Sequence, residues 1–470
     1  MKISIRMALL LTSAYIILPI ILFLLWWTSA WIGVCMALGI VAIIWTQSRK
    51  LHNETFFISL KTLGTIAVLT LIWTILSGAG HRGFFNGDFY KHNAIFNDLI
   101  SLNWPVHYQH SYLVYYFAYY LPSALIGKWW GWQAGNSALF IWTLMGISLV
   151  FLWLFSFINE KKQLWYGLLF PFFSGLDGLG KLIMRGKVVN NEWEWWGRNW
   201  QYSGNTTLFF YVPQQVLIGW LLMGMLLYML VKHKTLPLQI VLLSTSLLWS
   251  PFVFLGILPF YFLLLVKKQY SLSMMELFMS LVIFCVELLF LTSNMTFFVK
   301  ETSANGWLWE TEKLLRSWVL VRLALFYVFE FGLFASFIYL FLFKKNRRTE
   351  FVVFICSLII LTLIPWYKIG LMNDFAMRAS IPALYAICFF WIRTIIETKR
   401  SVLINIIMIS LFIISSLYPL ILFTNGLIHF SLSSPRYTLA QLETPKVRRQ
   451  YLGYPNSLFF RLFSPPSIQK

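Results

Sequence analysis

The sequence predicts an all-α integral membrane protein of about thirteen transmembrane helices, with short amphipathic helices carried in long loops on one side. Three observations carry this. Hydrophobic residues make up 59% of the 470 positions and charged residues only 11%, with mean hydropathy +0.71. A water-soluble fold of that composition would expose far too much apolar surface. Apolar windows of roughly 17 to 25 residues recur from end to end, the length an α-helix needs to cross the hydrocarbon core, whereas barrel strands would alternate. Finally, Lys and Arg gather in short turns between the apolar runs, where they act as topology signals.

The expected spans are 8–27, 30–46, 64–79, 136–157, 164–177, 213–232, 238–250, 252–266, 273–292, 318–343, 351–366, 379–397 and 402–424. The basic turns are Arg49-Lys50, Lys161-Lys162, Lys232 to Lys234, Lys267-Lys268, Lys344 to Arg348 and Lys399-Arg400. If all face the cytoplasm, the N-terminus lies inside and the C-terminus outside, in a cell membrane. The transmembrane domain is then 1–424, with outer loops 80–135, 178–212, 293–317 and 367–378 and an extracytoplasmic tail 425–470. Segment 112–127 is apolar enough to cross, but its five tyrosines and the Trp129-Trp130-Gly131-Trp132 cluster suit the interface, so it is expected to lie flat or shallow outside. Pro251 and Pro259 mark 238–266 as a broken or tilted hairpin.

Other classes are disfavoured. The formal charge of +20 has no separate basic domain behind it, so nucleic acid is not an expected partner. Cys35, Cys285, Cys356 and Cys388 fall inside apolar spans without CxxC spacing and read as packing residues. The first span has no small-residue cleavage site and reads as a retained helix. No internal repeat is evident, which speaks against an inverted-repeat transporter.

Against 37 Lys and Arg stand only 17 Asp and Glu, so an acid at the membrane surface draws notice. Asp88 follows an early span in Gly87-Asp88-Phe89-Tyr90-Lys91-His92, and Asn93, Asn97 and Asp98 come next. If 88–102 is helical, Asp88, Lys91 and His92 share a face, while Ile95 and Leu99 form an apolar stripe. The plain alternative is that Asp88 only caps the helix and Lys91 is its ion-pair partner.

A span, then Gly87-Asp88, an amphipathic loop through Leu99 to Trp104-Pro105, the aromatic segment Tyr112 to Gly127, and a span from Asn136 together resemble the start of GT-C-type glycosyltransferases. The resemblance is architectural and covers 64–177. It implies a GT-C-like fold in which Asp88 is the catalytic base, and a sugar that arrives on a polyprenyl-phosphate lipid. The acceptor would be a glycan, lipid or protein at the membrane's outer face. Such chemistry needs a carboxylate to take the acceptor's proton and cations to hold the leaving phosphate. Lys91 and His92 suit the phosphate.

Two further stretches join this set. In Asn373-Asp374-Phe375-Ala376-Met377-Arg378, Arg378 can grip a lipid phosphate, with Asn373 and Ser380 as neutral donors; an Asp374–Arg378 bridge is the plainer reading. In the loop from Asn190 and Asn191 to Thr207, Glu192, Glu194 and Trp195 make a sugar platform, and Pro213-Gln214-Gln215 opens the next span with its glutamines facing it, whereas Trp193 and Trp196 read as an interfacial belt. Asp177 reads as a turn residue. Glu287 and Glu330 are deep charges, the latter two helical turns from Arg322, and read as helix-pairing groups. The sequons at Asn205 and Asn294 matter only in a secretory compartment. The cofactor is left open: Asp88, His92, Glu192 and Asp374 are suitable divalent-metal ligands, without a local metal-binding spacing. The rival functions are a transporter or flippase for a lipid-linked glycan, working through Glu287, Glu330 and Arg322, and a non-catalytic scaffold.

Overall fold

A computed structural model describes the chain apart from residues 52–53, 84–86, 189–191, 268–269, 271–272, 297–304, 312–316, 344–346, 371–372, 433–435, 442–448 and 465–470. Asn190 and Asn191, the basic residues Lys268, Lys344 and Lys345, and parts of the 293–317 loop and the 425–470 tail therefore lie outside the described residues.

The helices run α1 (Ile5–Trp27), α2 (Ala30–Ser48), α3 (Leu60–Leu76), α4 (Phe89–Ser101), α5 (Leu121–Trp130), α6 (Trp132–Ser156), α7 (Glu160–Leu169), α8 (Asp177–Arg185), α9 (Asn205–Tyr211) and α10 (Pro213–Lys232). They continue as α11 (Gln239–Thr245), α12 (Pro251–Val266), α13 (Met274–Thr292), α14 (Leu308–Thr311), α15 (Ser317–Tyr327), a wide turn at Val328–Gly332, and α16 (Leu333–Leu342). Last come α17 (Arg348–Leu363), α18 (Asp374–Ala379), α19 (Ile381–Glu397), α20 (Val402–Ile428) and α21 (Leu458–Phe463). Among the described residues three small antiparallel sheets tie distant segments together, with registers Lys2↔Phe57, Tyr112↔Gly453 and Gly306↔Lys368.

Among the described residues nine helical stretches are long and apolar enough to cross a membrane: Ile5–Trp27, Ala30–Ser48, Trp132–Ser156, Glu160–Arg185, Pro213–Lys232, Met274–Thr292, Trp318–Leu342, Arg348–Trp366 and Val402–Ile428. The protein is a multi-pass helical membrane protein. Leu60–Leu76 and Pro251–Val266 are apolar but shorter. The expected span 238–250 holds only the seven-residue α11, too short to cross alone, because its hydrogen-bond ladder gives way to turns before Pro251. Of the four free cysteines, Cys35 and Cys285 are exposed on apolar helices, so the expectation that they pack inside does not hold for these two.

The two ends of the bundle differ. At one end the basic turns meet: Lys234 pairs with Glu54, Lys162 and Arg347 approach Glu397, and Gln47 reaches Ser273. This end also holds a cavity of about 460 Å³ lined by Lys50, Glu54, Tyr228, His233 and Glu276 among others. At the other end the long loops gather. Gly83 pairs with Ser431, Asn294 with Gly453, and Ser29 donates to the Phe463 carbonyl. Gly453 is needed in this layer because a Cβ there would lie 2.3 Å from Val114 Cγ2. The polar investment on one face that the loop lengths imply is thus realised in three dimensions.

Segment 112–127 does not lie flat. After β-strand residues Ser111–Leu113 it enters the bundle, where Tyr119 bonds Thr143 well inside α6, and α5 then returns antiparallel along α6. Residues 117–121 are essentially inaccessible, whereas Trp129 and Trp130 at the far end of α5 are exposed. Burial of this aromatic run among α1, α6 and α10 outweighs its preference for an interface.

Candidate functional site

Helix α4 forms where the 3.6-residue periodicity places it. Ile95 and Leu99 are fully buried, and Asp88 stands at the helix entrance. Its carboxylate makes no capping hydrogen bond. It takes Lys91 Nζ at 2.9 Å instead, both side chains remaining about two-fifths exposed. Lys91 is therefore the carboxylate's partner. Burial alone would raise the Asp88 acid, but nearby His92, Lys91 and Arg378 outweigh it and hold the group below the usual 3.8.

His92 is pinned on both ring nitrogens. Nε2 lies 3.1 Å from the Tyr211 carbonyl, which only accepts, so Nε2 carries a proton. The Tyr120 hydroxyl lies 2.6 Å from Nδ1 and donates to it in the neutral ring. Burial holds His92 below 6.5, against the pull of Asp88, so the ring is neutral near pH 7 and its Nε2 proton is already committed. The expected contact between His92 and a phosphate gives way to a positioning role: the ring fastens α4 to the end of α9. With His92 neutral, Lys91 and Arg378 are the cations that keep Asp88 ionised.

Arg378 arrives from the far end of the sequence. Helix α18 can approach α12 because position 256 is Gly, where a Cβ would sit 2.0 Å from the Ala379 carbonyl oxygen. Nη1 of Arg378 bridges Asp374 at 2.5 Å, so the i,i+4 pair is real. Yet the guanidinium is only 12% exposed, and its Nε is buried with no hydrogen-bond partner among the described residues. Burial works against the charge, but Asp374 and then Tyr116, Tyr115 and Asp88 hold the guanidinium protonated. Asn373 is not a free donor. Its amide oxygen accepts from Ala376 N and Ile369 N, and its nitrogen donates to the Asn199 carbonyl at 3.0 Å, clasping two loops. Ser380 donates to the Met377 carbonyl.

Tyrosines close the cluster. Tyr115 and Tyr116 lie against each other with ring centres 3.8 Å apart and planes tilted by 30°, and Tyr451 meets Tyr115 edge-on at 5.0 Å. Burial pushes all three phenols up, and all three respond to the Arg378 charge. They remain protonated and can donate. Tyr451 comes from the chain after α20, which packs back over the first loop: Tyr437 N donates to Asn93 Oδ1 at 2.8 Å, and Leu439 N donates to Asp98 Oδ2 at 3.0 Å. Asp98, whose acid is raised by burial, also accepts from Tyr108 at 2.7 Å. The density of tyrosine in 112–120 was the signal for this lining; nothing local marked Tyr451.

The third loop behaves differently. Glu194 is fully buried and accepts from Gly204 N at 2.9 Å, Gln201 Nε2 at 2.9 Å and Thr207 Oγ1 at 2.5 Å. Burial raises its acid against these donors. It organises its own loop rather than presenting a carboxylate to a sugar, because every near donor is spent on it. Glu192 is exposed and Trp195 is 38% exposed, both at the surface. Trp196 is core, not belt, and donates to Glu330 Oε1 at 2.9 Å. Tyr211 links this loop to the first: its phenol is pushed up to about 12 by burial, then by Glu194, Asp88 and Glu192. Gln214 and Gln215, in the first turn of α10, are both fully buried beside this point.

The deep acids have protein partners from other elements. Glu330 meets Trp196 and Asp177, and Asp177 also accepts from Ser174 at 2.9 Å, so Asp177 is a buried network member rather than a turn residue. Glu287 accepts from Leu248 N at 2.9 Å. Asn205 and Asn294 have their amide nitrogens bound to carbonyls of Phe170 and Val114. Of the four residues suited to bind a divalent metal, Asp88 holds Lys91, Asp374 holds Arg378, and His92 is engaged on both nitrogens. Among the described residues no group of three or more His, Cys, Asp or Glu is placed to hold a metal ion. Compared with family models, with curated proteins and with solved structures, the chain matches none.

Proposed function

We propose that this protein is an inverting glycosyltransferase that moves a sugar from a polyprenyl-phosphate lipid to an acceptor, with the loop end facing outside and the basic end the cytoplasm. The observation that carries the reading is a surface carboxylate, Asp88, at the same end of the bundle as a largely buried guanidinium, Arg378, whose Nε has no hydrogen-bond partner among the described residues, each within range of the other's charge. The acceptor oxygen attacks the anomeric carbon, its proton passes to Asp88, and the bond from that carbon to the phosphate oxygen breaks. Arg378 receives the charge left on the phosphate, and the phenols of Tyr115, Tyr116 and Tyr451 add neutral hydrogen bonds. A phosphate arriving at Arg378 also offsets one of the cations that depress Asp88, which makes the carboxylate a better base when donor is bound.

The test is transfer of labelled sugar from polyprenyl-phosphate donors by the full chain in lipid nanodiscs, comparing wild type with Asp88→Asn at equal folded amounts. Loss of about a hundredfold or more is expected, the usual size of a general-base contribution. Unchanged turnover would sink the proposal. Vesicle transport that survives Asp88→Asn and vanishes in Glu330→Gln would favour the flippase instead.

A further inference from the structure

Helix α10 begins with two glutamines whose environment is unlike that of any ordinary first turn. Gln214 and Gln215 are both 0% exposed, and none of their four side-chain amide atoms has a hydrogen-bond partner among the described residues. Each unpaired buried polar atom costs its lost hydration, so two such side chains side by side are not explained by stability.

Their position is defined by neighbours. Two residues before this turn, at the end of α9, Tyr211 presents its carbonyl to His92. On α10, Gln214 shares a face with Leu217, which packs at Gly146 of α6, and α10 also touches Ala118–Tyr120. Gln215 shares a face with Gly219, which packs against Ile381 and Val253. Helices α10 and α19 both run from the loop end toward the basic end, so one turn back from the Gly219–Ile381 contact stand Gln215 on one side and the turn of Arg378 on the other. Side chains in a first turn lean toward the helix N-terminus, which carries both amides toward the loop end.

We infer that Gln214 and Gln215 form a hydroxyl-reading subsite for the sugar on the lipid donor. This rests on the transferase reading and extends it. The chemistry follows from the inventory: two amide groups offer donors and acceptors together, and a polyol hydroxyl is both donor and acceptor, whereas a phosphate only accepts. Arg378 takes the anion and the glutamines take the sugar.

The experiment uses the full chain in nanodiscs with two kinds of probe: polyprenyl phosphate alone, and the same lipid bearing glucose, mannose, galactose or arabinose. Affinity for each is measured for wild type, Gln214→Leu and Gln215→Leu, with the melting temperature of the ligand-free protein; Gln→Met replaces any Leu variant that does not fold. Wild type should bind at least one sugar-bearing lipid about tenfold or more tighter than the bare lipid, an advantage of the size one or two hydrogen bonds confer. In the variants that ratio should fall toward one, with bare-lipid affinity and melting temperature not reduced. A variant that melts lower yet keeps the ratio overturns the subsite and makes the amides structural. A wild-type ratio near one for every sugar overturns both readings. A preference without transfer sinks the transferase and leaves the subsite standing, whereas transfer with an intact ratio in the Leu variants sinks the subsite alone.

Discussion

Two arginines stand at opposite ends of one helical run and are used in opposite ways. Arg393, at the basic end of α19, donates from Nη1 to Glu350 at 2.8 Å and from Nε to Glu397 at 3.0 Å. Glu397 in turn accepts from Tyr166 at 3.0 Å and lies 3.8 Å from Lys162. Arg378, at the loop end, is bound through Nη1 to one carboxylate, and its Nε has no partner among the described residues. A guanidinium whose hydrogens are spent on protein carboxylates fastens helices, and one that keeps buried hydrogens unspent is prepared for something that arrives.

The contrast can be broken most sharply at the loop end. Replacing Arg378 with Gln should weaken use of the lipid donor by tenfold or more, since hydrogen bonds to charged groups contribute about 1.5–3 kcal/mol, with little change in melting temperature. Steady-state kinetics against donor concentration, with thermal unfolding of the same samples, checks both halves. The mirror experiment is Arg393→Gln. It takes one partner from Glu350 and Glu397, which keep Arg347, Lys162 and Tyr166, and should destabilise the protein by about 2 kcal/mol, less than a buried charge left wholly unpaired would cost, while turnover per folded molecule stays near wild type. If the two variants behave alike, the distinction between fastening and receiving arginines fails.

A smaller effect sharpens the role of the third loop. Glu194→Ala leaves Gly204 N, Gln201 and Thr207 without their acceptor and should lower stability by roughly 1–3 kcal/mol. If Glu194 only holds its loop, sugar selectivity in the folded fraction is unchanged; a switch in preferred sugar would restore it to the substrate. The smallest expected effect is that of pH. Burial holds His92 below 6.5 and neighbouring cations hold Asp88 below 3.8, so above neutrality the ring stays neutral and the carboxylate ionised, and turnover should be flat from about pH 7.5 to 8.5. As a base with a lowered folded value, His92 contributes stability that is complete above 6.5 and is lost as pH falls below it, because the unfolded chain binds the proton first. Melting curves from pH 8 to 5 should show that slope in wild type and a shallower one in His92→Gln.

Much of this arrangement was legible before folding. The apolar windows, the amphipathic face of Asp88, Lys91 and His92 with Ile95 and Leu99 behind it, and the segregation of basic turns from long loops follow from local patterning. Where the reading departed from the structure, a residue's partner lay far away. Glu194 looked available because its donors in the 201–207 stretch gave no sign of turning back on it. Asp177 looked like a turn because Glu330 and Trp196 are distant in sequence. Segment 112–127 looked interfacial because its tyrosines have polar tips, which tertiary packing satisfies inside.

The sequence by itself determined that the chain lives in a membrane, where most of its long apolar helices lie, and which scarce acid heads the first loop. These depend on transfer energies and periodicities summed over neighbouring residues. Only the tertiary structure decided that Arg378 and Tyr451 come to the same end of the bundle as Asp88, within range of its charge, that His92 is a fastening rather than a ligand, and that two glutamines are buried without hydrogen-bond partners among the described residues. Hydrogen-bond satisfaction is settled by which distant groups arrive within about 3 Å, and no local pattern encodes that.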